Sequence, residues 1–222
     1  MRNILTKFLA WLQFRIDTTR YIFDKPKFDY QPIPWVGIHH ASIRGQSTIE
    51  RWHEIRKQIK STDVNLKDLG SCAGYFCISA SEEKGLISFG IDINDRFLRI
   101  SRYAVPESCR DKVNFIKLKV DDSNVGVLPH TDITLCLSIW HHWVHHYGLE
   151  KATVILTELW GSTKRTLFFE SGEDEIREEF SMPFPENIPV PDWIEEYIKR
   201  NLNACKIQRL GAFDTGGYSH YK

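Results

Sequence analysis

Asp68-Leu69-Gly70-Ser71-Cys72-Ala73-Gly74-Tyr75-Phe76 is the stretch whose residue types and spacing point most directly to chemistry. It reads as the turn from a strand into a helix. Gly70 allows a tight turn and a close approach of a ligand to the main chain, and Gly74 lets the helix start pack against the strand. The spacing is G-x-x-x-G, whereas the dinucleotide fingerprint is G-x-G-x-x-G; Ser71 and Cys72 stand where the middle glycine would make room for a pyrophosphate. A nucleoside with a carboxylate tail near the helix N-terminus fits such a loop better. Asp92 closes the next strand, where a carboxylate accepts hydrogen bonds from ribose hydroxyls. Asp121 and Asp122 follow the third strand, placed to contact an adenine ring. Each Asp alone reads equally as a solvated loop residue; it is the ordered combination that is specific.

A second constellation, Ser138-Ile139-Trp140-His141-His142-Trp143-Val144-His145-His146, begins where a fourth strand ends. An imidazole, with an ordinary pKa of about 6.5, can take the proton of a hydroxyl nucleophile. His141 or His142 is therefore a candidate base, the alternative being that one of them caps the helix or packs in the interior. The pairs His141/His145 and His142/His146 have the i, i+4 spacing of zinc ligands. No Glu lies between them and no thiolate is near in sequence, so no metal is expected. Glu170 ends the fifth strand and could reach an acceptor, or be an exposed strand-end carboxylate. Asp214, in the turn Gly211-Ala212-Phe213-Asp214-Thr215-Gly216-Gly217, could orient a histidine or the acceptor, or be a turn residue.

These residues need a scaffold, and the hydrophobic pattern supplies one. Strands are expected at Val64–Leu69, Leu86–Ile91, Val113–Leu118, Asp132–Leu137 and Thr166–Glu170. Helices are expected at Tyr75–Glu82, Asp95–Tyr103, His142–Leu159 (one long helix) and from Pro191 to Leu202. Strands separated by helices of this length form a parallel sheet through right-handed crossovers. Lys206–Leu210 and Tyr218–Lys222 read as a terminal hairpin on the sheet edge. Upstream, a helix over residues 3–16 precedes the proline-rich linker 24–35. A further helix over Thr48–Lys60 has Ser47 as N-cap and Glu50 completing a capping box.

The strand, glycine loop and two acids in order resemble the class I S-adenosylmethionine-dependent methyltransferases over residues 64–222. The resemblance implies a Rossmann-like α/β fold: a seven-stranded, mostly parallel sheet with helices on both faces and the last strand antiparallel. Residues 61–222 would form that domain and residues 1–60 a helical extension. The segments 68–76, 137–148 and 211–215 look more narrowly like the methyltransferase part of the bacterial O-antigen chain-terminating kinase–methyltransferases. Tyr30-Gln31-Pro32-Ile33 is similar to a segment ahead of that family's core. The likeness implies S-adenosyl-L-methionine as cofactor, held by Tyr30, Gln31, Arg51, Asp68, Gly70, Ser71, Gly74, Tyr75, Phe76, Asp92, Ile93, Asp121, Asp122, Leu137 and Ser138. Catalysis would fall to His141, His142, Glu170 and Asp214. The chain differs from that family in ending after the methyltransferase core, without a kinase, and in its insertion Asp174–Pro191. The resemblance implies a glycan acceptor, methylated at a terminal phosphate as in that family or, in a chain without the kinase, at a sugar hydroxyl. Trp140, Trp143, Tyr147 and Phe213 could stack on sugar faces or be core.

Composition bounds the alternatives. The chain has 222 residues, 29 Lys plus Arg against 29 Asp plus Glu, and 42% hydrophobic residues. That suits one domain with a sizeable core and excludes disorder. Zero net charge argues against an RNA substrate, although tRNA-modifying enzymes share similar cores and Arg51, Arg56, Lys57 and Lys60 could form a small basic face. A non-catalytic partner subunit would be expected to lack Gly70, Gly74 or Asp92, and all three are present. Five cysteines without a C-x-x-C pair read as reduced thiols of a cytoplasmic protein. The N-terminal helix either packs on its own domain or rests on a membrane or partner, with Lys7, Arg15 and Arg20 toward headgroups.

Overall fold

In the computed structural model, the residues described are 2–23, 31–39, 43–171, 184–185, 187–203 and 206–213. Their core is a parallel sheet of five strands in the order β3-β2-β1-β4-β5. These are β1 (Asn65–Leu69), β2 (Ile87–Asp92), β3 (Val113–Lys117), β4 (Thr131–Leu137) and β5 (Thr163–Glu170). The order reverses between β1 and β4, whose ends align through Leu69↔Cys136. At such a switch point the connections leave in opposite directions and open a crevice at the carboxyl ends of the strands.

Alternation along the strands sends side chains to two cores. Leu66, Ile133, Leu135 and Phe168 face one cluster with helix α3 (Tyr75–Lys84), α4 (Asp95–Ala104), α1 (Arg2–Phe23) and α2 (Ile43–Gln58). Leu69, Ile91 and Cys136 face the other, with α5 (Trp140–Tyr147), α6 (Leu149–Gly161) and α7 (Val190–Leu202). Helices on both faces satisfy a parallel sheet, whose strands are buried on both sides. Lys67, fully buried in β1, donates to the Pro129 and Ser162 carbonyls, and burial pulls its pKa down to about 8.

Local chemistry sets the element ends near the crevice. Asn94 caps α4 by accepting from the Arg96 and Phe97 amides. α3 starts at Gly74, which adopts φ +84°. The cap of α3 comes from far away: Gln31 Oε1 accepts from the Tyr75 amide at 3.0 Å. The Gln31 backbone is held in turn by the buried Tyr21 hydroxyl, 2.9 Å from its carbonyl.

Three expectations are corrected. Five strands, all parallel, are present among the described residues, and the two further strands of the expected seven are not among them. Lys206–Leu210 is not a strand; its Arg209 pairs with Asp192 and Glu195 of α7. Tyr218–Lys222 lies outside the described residues. The long helix after β4 is two helices, because Gly148 takes φ 85°, ψ 161°, a conformation open to glycine alone. Helix α2 begins at Ile43, so Ser47 is an interior residue with a buried hydroxyl and not an N-cap. Packing of the Thr48, Trp52 and Ile55 face outweighs the local capping signal.

The N-terminal helix runs further than the sequence pattern indicated. Its second half docks on α4, through Phe14 stacked on Tyr103 and the Asp17 carboxylate forked by Arg99 at 2.7 and 3.0 Å. That fork holds Asp17 below the usual carboxylate range in spite of its burial.

Candidate functional site

A cavity of about 230 Å³ opens at the crevice. Its lining gathers the carboxyl ends of four strands, one residue of α2 and Gln31: Gly70 and Cys72 of the β1 loop, Asp92 of β2, Ser138 and His142 after β4, Glu170 of β5, and Arg51 of α2.

The glycine loop is bonded to the end of β2. The Gly70 and Ser71 amides both donate to the Ile91 carbonyl, at 2.8 and 3.0 Å, and the Cys72 amide donates to Asp92 Oδ2 at 2.8 Å. Cys72 itself adopts φ +49°, the left-handed conformation normally left to glycine. The missing middle glycine is thus replaced in conformation but not in size, and the cysteine side chain lines the cavity. A Cβ on Gly70 would lie 3.2 Å from the Ile139 side chain. Burial pushes the Cys72 thiol well up, so it is not a thiolate nucleophile.

Asp92 is 9% exposed and uses one oxygen on Cys72 and the other on the Asn94 amide at 2.7 Å. Each oxygen retains acceptor capacity toward the cavity. Burial raises its pKa against the lowering effect of those amides. Asp68 lies deeper; burial and the neighbouring Asp92 hold its pKa well above the usual carboxylate range. Its Oδ2 and the Ser71 hydroxyl are buried without a hydrogen-bond partner. Neither Asp68 nor Ser71 lines the cavity; the Asp92 carboxylate beside a main-chain loop that glycine keeps open is what fits a nucleoside ligand there.

Arg51 and Glu170 form one unit. The guanidinium forks the carboxylate at 2.6 and 2.9 Å, and the Ser138 hydroxyl donates to the same carboxylate at 2.6 Å. Ser138 holds φ +50°, and its amide donates to the Glu170 carbonyl at 3.0 Å. Three donors and a paired charge make Glu170 an anchor joining α2, β4 and β5.

The two candidate bases separate. His142 lines the cavity. His141 is fully buried, its ring 4.2 Å from that of His142, and its Nδ1 donates to the Ser171 carbonyl at 2.8 Å. A carbonyl only accepts, so Nδ1 carries a proton. Burial, reinforced by His142, pulls the His141 pKa down to about 3. The unfolded chain takes up this proton as pH falls through about 6.5, while the folded state does not until about 3, so stability drains away across that window. Urea denaturation should show the wild type losing stability relative to His141→Gln between pH 6.5 and 4. A constant difference across that range would contradict the assignment.

Other residues expected at the site are placed as follows. Phe76 and Leu137 line the cavity. Tyr75 is buried against Trp35, and Gly74 against Phe115 of β3. Ile93 is exposed and lies outside the lining. Asp121 is engaged by the Ser123 amide and hydroxyl, and Asp122 pairs with Lys151 at 3.3 Å; neither lines the cavity. Tyr30 and Asp214 lie outside the described residues. Trp140 and Trp143 are core, not stacking surfaces. Thr48, Phe97 and Ile139 line the cavity without having been singled out. Thr48 was within reach, three residues before Arg51 on the same helix face. A second cavity of about 360 Å³ adjoins the first, sharing Arg51, Leu137 and Glu170, with Phe213 beneath the Arg51 cation at 5.7 Å. Among the described residues no group of three metal-ligating side chains converges.

A doubly wound parallel sheet with a glycine loop after β1, an acid ending β2 and a crevice between β1 and β4 is a Rossmann-like α/β architecture, in which ligands bind at the carboxyl ends of the strands. No family model matches the chain. Over 154 residues, 68% of the chain, it is 27% identical to the O-antigen chain terminator bifunctional methyltransferase/kinase WbdD of Escherichia coli, and those residues are 20% of that protein. Among solved structures, WbdD bound to a kinase inhibitor superimposes on 89% of this chain and 44% of its own, with a TM-score of 0.62 at 20% identity. A medium-resolution WbdD structure covers 65% of this chain and 33% of its own, with a TM-score of 0.50 at 22% identity. The chain is similar to WbdD over those 154 residues and spans about a fifth of the length of that curated relative.

Proposed function

We propose that this chain transfers a methyl group from S-adenosyl-L-methionine to an oxygen of a saccharide, either a sugar hydroxyl or a terminal phosphate. The observation that carries the reading is the crevice at the switch point, where Asp92, the Gly70 loop, Gln31 and Ser138 converge on one cavity. Relation to WbdD, named as an O-antigen chain terminator, supports a glycan acceptor.

In this reading Asp92 accepts from the ribose hydroxyls, and the Gly70–Cys72 main chain lies against the nucleoside. When bound, the cofactor supplies an electrophilic methyl carbon on a sulfonium whose leaving group is a neutral thioether. The chain's work is alignment, exclusion of water and disposal of one proton. His142 is the catalytic residue for a hydroxyl acceptor, receiving its proton. His141 is a positioning residue, fixed through Nδ1 to Ser171 and in ring contact with His142. Arg51, clamped on Glu170, and Phe213 form the wall between the cofactor side and the adjoining cavity, which takes the acceptor. Residues 1–60 form a helical cap on the catalytic domain 61–222, in a cytoplasmic protein.

Methyl transfer measured over a panel of neutral glycans, phosphoglycans and RNA tests the reading. Turnover is expected with a glycan. With a hydroxyl acceptor, His142→Ala should lower kcat by about 100-fold or more, with cofactor affinity held. With a phosphate acceptor, already anionic, the same variant should keep its rate. Turnover with RNA alone would contradict the saccharide assignment.

A further inference from the structure

Helix α1 has two faces, and only one is used by the fold. Phe14, Asp17 and Tyr21 are buried, two of them against α4 through the Tyr103 stack and the Arg99 fork. At about 100° per residue, Leu5, Leu9, Leu12 and Ile16 form a stripe on the other side, with Phe8 beside it. Leu5, Phe8 and Leu9 are 60%, 53% and 54% exposed, and Leu12 and Ile16 are each 41% exposed. No described residue covers this stripe. A contiguous row of large apolar side chains on an exposed helix is costly in water and marks an interaction surface.

Charge says what meets it. The basic residues Lys7, Arg15 and Arg20 are exposed and make no ion pair among the described residues, and Arg15 and Arg20 fall on either side of the stripe. Asp17, the one acid of the helix, is buried and neutralised by Arg99. The chain as a whole carries no net charge, so the exposed positive charge of this helix is a local segregation. No helix of the described residues is long and apolar enough to cross a membrane, which leaves an in-plane arrangement. Self-association fits the pattern less well. The spacing of four, three and four from Leu5 to Ile16 makes a seam of only about two heptads, short of the three to four that sustain a coiled coil. In a parallel pair Arg15 would sit at a g position facing Arg20 at the e position of the partner copy, a like-charge contact.

We propose that α1 is an interfacial helix that seats the protein on an anionic lipid surface, its apolar stripe in the acyl boundary and Arg15 and Arg20 at the headgroups. The assignment does not depend on what the catalytic site methylates.

Co-sedimentation of the full chain with vesicles tests it. Binding is expected to phosphatidylcholine vesicles containing about a third phosphatidylglycerol, much less to pure phosphatidylcholine, and less at high salt. Arg15→Gln and Arg20→Gln, both on the solvent side of the helix, should each weaken partitioning about fivefold. Leu9→Glu combined with Leu12→Glu should abolish it, with far-ultraviolet circular dichroism confirming that the fold is kept. The proposal is overturned by absence of binding to the anionic vesicles, by equal binding to the neutral ones, or by binding that survives the double substitution. A dimer in sedimentation equilibrium that dissolves in the double variant would overturn it in favour of a second copy on this face.

Discussion

Asp92→Asn should weaken the binding of S-adenosylhomocysteine about a hundredfold while the unfolding temperature moves by only a few degrees. The carboxylate ties the glycine loop to β2 through the Cys72 and Asn94 amides and still faces the cavity with acceptor capacity on both oxygens. Two hydroxyls donating to a carboxylate make charge-assisted bonds worth about 1.5–3 kcal/mol each. Asparagine replaces one acceptor by a donor and removes the charge, so one of those bonds is lost outright and the other weakened. Stability responds less because two effects oppose each other. The amide loses one of the backbone bonds, yet it also removes the cost of burying a carboxylate whose pKa is already raised by burial. Equilibrium dialysis with labelled ligand checks the prediction, and a dissociation constant within about threefold of wild type would remove Asp92 from the ribose site.

Gly74→Ala should produce the largest loss of stability, about 3–5 kcal/mol, or a fall of about 10 °C in Tm. Gly74 begins α3 at φ +84°, where an L side chain costs about 1–2 kcal/mol. A Cβ there would lie 2.5 Å from Phe115 Cζ and 2.9 Å from Ser101 Cβ, distances that real atoms do not sustain. The glycine is therefore needed for the approach of α3 to β3 and α4, more than to β1 as the motif suggested. Phe115→Leu in the same chain should recover part of the loss by shortening the obstructing side chain. A single Gly74→Ala variant that melts within about 2 °C of wild type would show that the loop tolerates a side chain.

The scaffold of the site was legible because it is written in local pattern. Short apolar runs alternating with amphipathic stretches located all five strands of the sheet to within a few residues, and the loop 68–76 and Asp92 fall at strand ends as their spacing required. What was not legible depends on contacts between distant residues. Nothing in the types of Arg51 and Glu170 announces that they pair with one another across 119 positions. Gln31 could be named only through resemblance; its cap on α3 spans 44 positions. His141 and His142 are adjacent and chemically identical, and only burial assigns one to the interior and the other to the cavity. Lys67 reads as the polar interruption of a strand, yet it is buried with its ammonium bonded to carbonyls below the sheet. Gly148 is different. It was visible in the sequence as a breaker, and the apolar periodicity on either side of it concealed the break.

Isothermal titration calorimetry of the wild-type chain with S-adenosylmethionine and with S-adenosylhomocysteine tests the central claim most directly. Saturable one-to-one binding of both is predicted, abolished or severely weakened in Asp92→Asn. Folded wild-type protein that gives no heat and no thermal stabilisation with either ligand would contradict the account.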